Sequence, residues 1–208
     1  MKNYRHYSLK CAFILCALIA TSCAKNESNP QEEDKPDGNT IPNSLHIAFE
    51  TPHWQRQIDC THLDLQPSDM ASDNTIFYVF ASSESTRNTF VLSYPKHASE
   101  LEKPGNIGKF PVAEYRNPTG PFQYGMILPL DDDKLDFSHG RLVSKAGSSA
   151  TEFTEITEIK RVGTDGTYAL FQIKGRYGFN STFQKGLNDE AGDYVKGTFH
   201  LKVRALIE

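Results

Sequence analysis

Residues 197–208 read GTFHLKVRALIE. Phe199, Leu201, Val203, Ala205 and Ile207 share one parity, and Thr198, His200, Lys202 and Arg204 share the other. Successive side chains of a strand point to opposite faces, so this stretch predicts a strand with an apolar face on a core and a polar face in water. Upstream, GTYALFQIKGRYGF (residues 166–179) repeats the pattern with Ala169, Phe171, Ile173, Tyr177 and Phe179 on one face. Gly163, Asp165 and Gly166 supply a turn back to EFTEITEIKRV (residues 152–162), which predicts a hairpin. In that segment Phe153, Ile156, Ile159 and Val162 recur every three residues, a possible helical stripe, but its threonines and isoleucines favour a strand.

Seven earlier segments have the same character: LHIAFE, RQIDCTHLDL, TIFYVFAS, NTFVLSY, GKFPVAEY, FQYGMILPL and LDFSHGRLVS. Clusters of Pro, Gly, Asn and Asp separate them at short intervals. The expectation is an all-β antiparallel sandwich or barrel of about ten strands, with at most one short helix near HASELEK (residues 97–103). G-T-aromatic-x-L occurs twice, at Gly166–Leu170 and Gly197–Leu201, which is too few copies for a repeat protein.

The amino terminus differs in kind. Lys2, Arg5 and Lys10 precede an apolar run from Cys11 to Ala20, the layout of a secretory signal. Ala20, Thr21 and Ser22 are small and lead to Cys23, whereas Cys16 follows the bulky Phe13, Ile14 and Leu15. The stretch ending at Cys23 resembles the lipobox of bacterial lipoproteins, with Ala20 where Leu is commonest. The resemblance implies that residues 1–22 are removed and that Cys23 carries the acyl chains. Each buried methylene contributes about 0.8 kcal/mol, so two or more chains hold firmly where one does not. Ala24 is not the Asp that retains many such proteins in the inner membrane, which favours the outer membrane.

Residues 23–43 follow as a tether. Ile41 is the sole large apolar side chain there, and Glu27, Glu32, Glu33, Asp34 and Asp37 outnumber Lys25 and Lys35. Such a segment cannot bury enough surface to offset its ordering entropy, and its charge extends it. Glu32-Glu33-Asp34 resembles the acidic export signals of surface lipoproteins, which places the domain on either face of the membrane. Residues 44–208 are long enough for one core and form a single domain. Cutting after Ser22 removes three positive charges and no negative ones, taking the formal charge from −4 to −7. An acidic chain has no electrostatic footprint for nucleic acid.

Chemistry-bearing motifs are sparse, and none marks a cofactor. Of seven histidines, only His62 neighbours a cysteine, as Cys60-x-His62 with Asp64 continuing the row. Paired zinc spacings are missing, so no metal site is assigned and Cys60 reads as a small buried hydrophobe. Asp131, Asp132, Asp133 and Asp136 offer calcium ligands, yet the sixth position of an EF-hand loop would be Asp136 instead of glycine. A solvated turn explains them, and likewise the acids of LNDEAGDY. There is no G-x-S-x-G elbow, and AGSSA around Ser148 lacks its geometry. No catalytic residue is assigned. Trp54, Tyr115, Phe122 and Tyr124 sit beside Pro or Gly, where loop aromatics can stack on sugars or peptides.

The lipobox-type leader, acidic tether and closing β-hairpins together resemble the β-rich lipoproteins of Bacteroidota. That resemblance implies a location and a fold class. The expected protein is a non-enzymatic, outer-membrane β domain, anchored through Cys23 and binding a ligand or partner protein through loops. The alternatives are a fimbria-like structural or adhesive subunit, with the C-terminal strand as the element exchanged, and a barrel carrying a small molecule.

Overall fold

The computed structural model describes residues 40–68 and 74–208. The leader, Cys23 and the tether as far as residue 39 lie outside the described residues. Ten strands follow in order: β1 (His46–Glu50), β2 (Gln55–Asp59), β3 (Ile76–Ser82), β4 (Thr89–Pro95), β5 (Gly108–Phe110), β6 (Tyr124–Pro129), β7 (Arg141–Ser144), β8 (Phe153–Asp165), β9 (Tyr168–Lys185) and β10 (Asn188–Leu206). One helical turn, α1 (Ala98–Leu101), and a 3-10 turn (Pro104–Asn106) lie between β4 and β5.

All pairings between these strands are antiparallel, in the order β2-β1-β10-β9-β7-β6-β4-β3. β8 is a branch that pairs β9 on one side and β5 on the other. The branch is possible because β9 is 18 residues long and changes partner: Tyr168–Gly178 pair with β8, and Ser181–Gln184 with β7.

The sheet folds over on itself without closing into a barrel. Tyr124 of β6 stacks on Tyr177 of β9, with ring centroids 4.0 Å apart, and on Phe199 of β10 at 5.6 Å. The Tyr94 hydroxyl of β4 donates to the Arg204 carbonyl of β10 at 2.9 Å, and the Tyr177 hydroxyl to the Ala48 carbonyl of β1 at 2.8 Å. Side chains therefore fill the space between the two halves, each large one contributing about 1.5–3 kcal/mol on burial. A carrier barrel loses its premise: the sheet is open, and its interior is occupied by Tyr94, Tyr124, Tyr177, Phe171 and Phe199.

In the β9–β10 ladder two rings lie over glycines. Tyr177 faces Gly197 and Phe199 faces Gly175 across the ladder. A Cβ on Gly197 would lie 2.7 Å from the Tyr177 hydroxyl and would collide with the Ala48 carbonyl; one on Gly175 would lie 2.7 Å from the Glu155 carbonyl. Only glycine admits so close an approach of ring and backbone. The two G-T-aromatic-x-L copies are thus unlike. Gly197 sits mid-strand beneath a ring, whereas Gly166 (φ 59°) is the left-handed residue of the β8–β9 turn.

β8 is a strand, and its spacing of three has a local cause. Register shifts between Ile156 and Glu158, and between Arg161 and Gly163, each add one residue. The first bulge brings Ile159 onto the core side with Ile156. Three details of the C-terminal reading change. Ile207 lies beyond β10 and is exposed. His200 lies on the polar side but is buried, because residues 43–44 cover it. β10 is paired by β9 along most of its length but by β1 only over Lys196–His200.

Candidate functional site

The loop between β5 and β6 crosses the outer side of β4 and β6. The Val112 amide donates to the Gly147 carbonyl at 2.8 Å, and the Ala113 amide to the Tyr124 carbonyl at 2.9 Å. The loop lies flat because Gly125 lacks a side chain: a Cβ there would stand 3.3 Å from the Ala113 carbonyl and 3.1 Å from Val91 Cγ1. The Ser144 hydroxyl ties the layers together, donating to the Ala113 carbonyl at 3.1 Å and accepting from the Met126 amide at 2.9 Å.

This loop then makes a tight turn. Glu114 and Asn117 bridge, with the Asn117 amide donating to the Glu114 carbonyl at 2.9 Å. Arg116, at the third position, takes φ 64°, a left-handed conformation that costs a non-glycine residue about 1–2 kcal/mol. The turn aims the guanidinium between two rings, 5.4 Å from the Tyr115 centroid and 5.4 Å from that of Phe80 on β3. Both distances suit cation–π attraction. Phe80 is 49% exposed, and Tyr78 stands 6.4 Å from it on the same face of β3. No carboxylate pairs with Arg116 among the described residues.

Beside the turn lies a cleft of about 240 Å³, lined by Val112, Glu114, Asn117, Thr119, Gln123 and Gly147 among others. Its polar groups are held in place. The Gln123 side-chain carbonyl accepts from the Thr119 amide at 2.8 Å, and the Gln123 side-chain amide donates to the Thr119 hydroxyl at 3.4 Å. Exposed rings, a guanidinium and fixed amide and hydroxyl groups thus share one loop and one strand.

The four aromatic residues singled out from sequence separate here. Tyr115 is half-buried at the turn, within the cluster. Phe122 and Tyr124 are wholly buried and present no face to a ligand. Phe122 packs 4.8 Å from Phe110 after a turn through Gly120 and Pro121, and Tyr124 enters the central stack. Trp54 is buried edge-on against Phe49 at 4.6 Å, where Thr51 ties off the β1–β2 turn through the Trp54 amide at 3.1 Å. Sequence reasoning missed Phe80, Tyr78 and Arg116. The available signal was TIFYVFAS itself, which is aromatic on both parities where one buried face needs only one.

The polar candidates are also placed. Cys60 falls after β2 and is buried, which pushes its thiol up to about 11, while His62 and Asp64 are exposed in the following turn. The row Cys60-His62-Asp64 does not form. The aspartates of the β6–β7 turn engage their neighbours: Asp131 pairs with Lys134 at 2.7 Å, Asp132 with Arg56 at 2.5 Å, and Asp136 accepts from the Ser138 amide at 2.9 Å. Asn188, Asp189 and Glu190 open β10 at the tip of its hairpin with β9. Among the described residues, no group of three or more His, Cys, Asp or Glu is placed to hold a metal ion. Compared with known proteins, the chain matches no family, no curated protein and no solved structure.

Proposed function

We propose that this protein is a non-enzymatic binding domain, held at the outer membrane through acyl chains on Cys23, which engages a carbohydrate chain at the cluster of Tyr78, Phe80, Tyr115 and Arg116. The observation that carries the binding surface is Arg116. Its strained backbone is retained where it orders two partly open rings beside a polar cleft, and strain of this kind concentrates at ligand sites. Exposed ring faces complement the apolar faces of sugars, and Asn117, Thr119 and Gln123 offer partners for hydroxyl groups. The anchor is supported by the sequence alone, through the small residues before Cys23 and the tether after it.

Affinity electrophoresis against a panel of soluble glucans, mannans, galactans and mucin glycans tests the binding reading. Retardation by at least one glycan, lost in Phe80→Ala and Arg116→Ala, is the expected result. Mobility unchanged by every glycan, or retardation untouched by both substitutions, contradicts it. The anchor is tested separately by intact mass of the purified native protein, where an unmodified amino terminus refutes it.

A further inference from the structure

On the outer face of the sheet one transverse row crosses five strands: Asp59 of β2, His46 of β1, His200 of β10, Lys174 of β9 and Glu158 of β8. His46 is 0% exposed and His200 3%. Outer-face residues reach such values only under a cover, and Asn43 and Ser44 contribute to it. His46 Nδ1 lies 2.8 Å from the Ser44 carbonyl, which can only accept, so the proton sits on Nδ1 and Nε2 accepts from the Thr198 hydroxyl at 2.9 Å. Lys174 donates to the Asn43 side-chain carbonyl at 2.7 Å and pairs with Glu158 at 3.3 Å. Neither ring nitrogen of His200 completes a hydrogen bond, although the backbone of Asn43 and Ser44 lies against the ring. Two imidazoles and an ammonium thus lie against Asn43 and Ser44, while the next residue, Leu45, is fixed by accepting from the Cys60 amide at 2.9 Å.

We propose that residues 40–44 are a pH-released strap, which acidification unlatches from the outer face of β1, β10 and β9, freeing the segment that leads back toward Cys23. The charges facing the two rings from each packed element are Asp59, Lys174 and Glu158, with Arg176, Lys202 and Lys160 in the adjoining rows and Glu155 paired to Arg176 at 2.6 Å. Burial lowers His46, and with His200 and Lys174 outweighs the Ser44 carbonyl, which raises it; burial and then Lys174 lower His200, more than the Asn43 and Ser44 backbone and Glu158 raise it. Both rings therefore take up protons more readily once the strap is off. The latch is complete above the ordinary histidine value of 6.5 and weakens as pH falls below it.

Hydrogen exchange of the full-length protein in detergent, read as protection factors corrected for intrinsic rate, tests the strap. Protection across residues 43–46 is expected to fall about tenfold or more between pH 7.5 and 5, while β4 and β6 stay protected. The double variant His46→Gln/His200→Gln is expected to lose that dependence. Lys174→Met keeps both rings, removes the hold on Asn43 and is expected to weaken protection already at pH 7.5. Flat protection in the wild-type protein, a fall that persists in the double variant, or a Lys174→Met variant as protected as wild type would each overturn the proposal.

Discussion

Aromatic side chains serve opposite ends on the β9–β10 arm and on β3. On the arm, Tyr177 and Phe199 lie over glycines of the partner strand, stack with Tyr124 and are shut from water. On β3, Phe80 faces outward, half-exposed, with the Arg116 guanidinium and the Tyr78 ring beside it. The arm holds its rings between strand backbone and other rings, so its geometry is over-determined. The β3 cluster is held on one side only, by a turn that itself stores strain at Arg116. Stability and binding therefore reside on different strands, and substitutions should separate them.

The largest effect is expected in the stack. Tyr124→Ala removes a ring that meets Phe90, Tyr177 and Phe199, and should cost about 4 kcal/mol in urea unfolding. Gly197→Ala should cost about 3 kcal/mol by the same assay, because neither the Ala48 carbonyl nor the enclosed Tyr177 ring has room to yield. A loss below about 0.5 kcal/mol at either position would mean that the arm is looser than described. Tyr94→Phe deletes only the hydroxyl that joins β4 to the Arg204 carbonyl and should cost about 1 kcal/mol. On the β3 side the stability effects should be small. Phe80→Ala should stay within about 0.5 kcal/mol of wild type, and Arg116→Gly should raise stability by about 0.5 kcal/mol by relieving the left-handed strain, with glycan retention lost in both. Cys60, buried and with its thiol pushed up to about 11, should resist iodoacetamide at pH 8 until the chain is unfolded.

The same contrast explains what the sequence disclosed. Strands whose two parities differ sharply were legible: β10 and β9 read directly from Phe199, Leu201 and Val203 and from Phe171 and Ile173. β8 obscured its parity because bulges after Ile156 and Arg161 insert residues that alternation does not anticipate. Neighbouring Pro and Gly made Phe122 and Tyr124 look like loop residues, but Gly120 and Pro121 turn the chain inward and Gly125 lets the loop lie over β6. His200 was placed on the right face with the wrong surroundings, since the covering residues 43–44 are distant in sequence and polar enough to pass for tether. The platform was half-visible: Tyr115 stood out beside Arg116, while Phe80 merged with an apolar strand. Their meeting depends on the β5–β6 loop crossing to β3, a long-range contact that no local pattern encodes.

Chemical-shift mapping of the 15N-labelled protein, titrated with the glycan it retains best, tests most directly whether binding is confined to the β3 side. Perturbations grouped on Tyr78, Phe80 and residues 112–119, with β9 and β10 silent, are what the account predicts. Shifts centred on the β9–β10 arm, or no saturable shifts with any glycan, would contradict it.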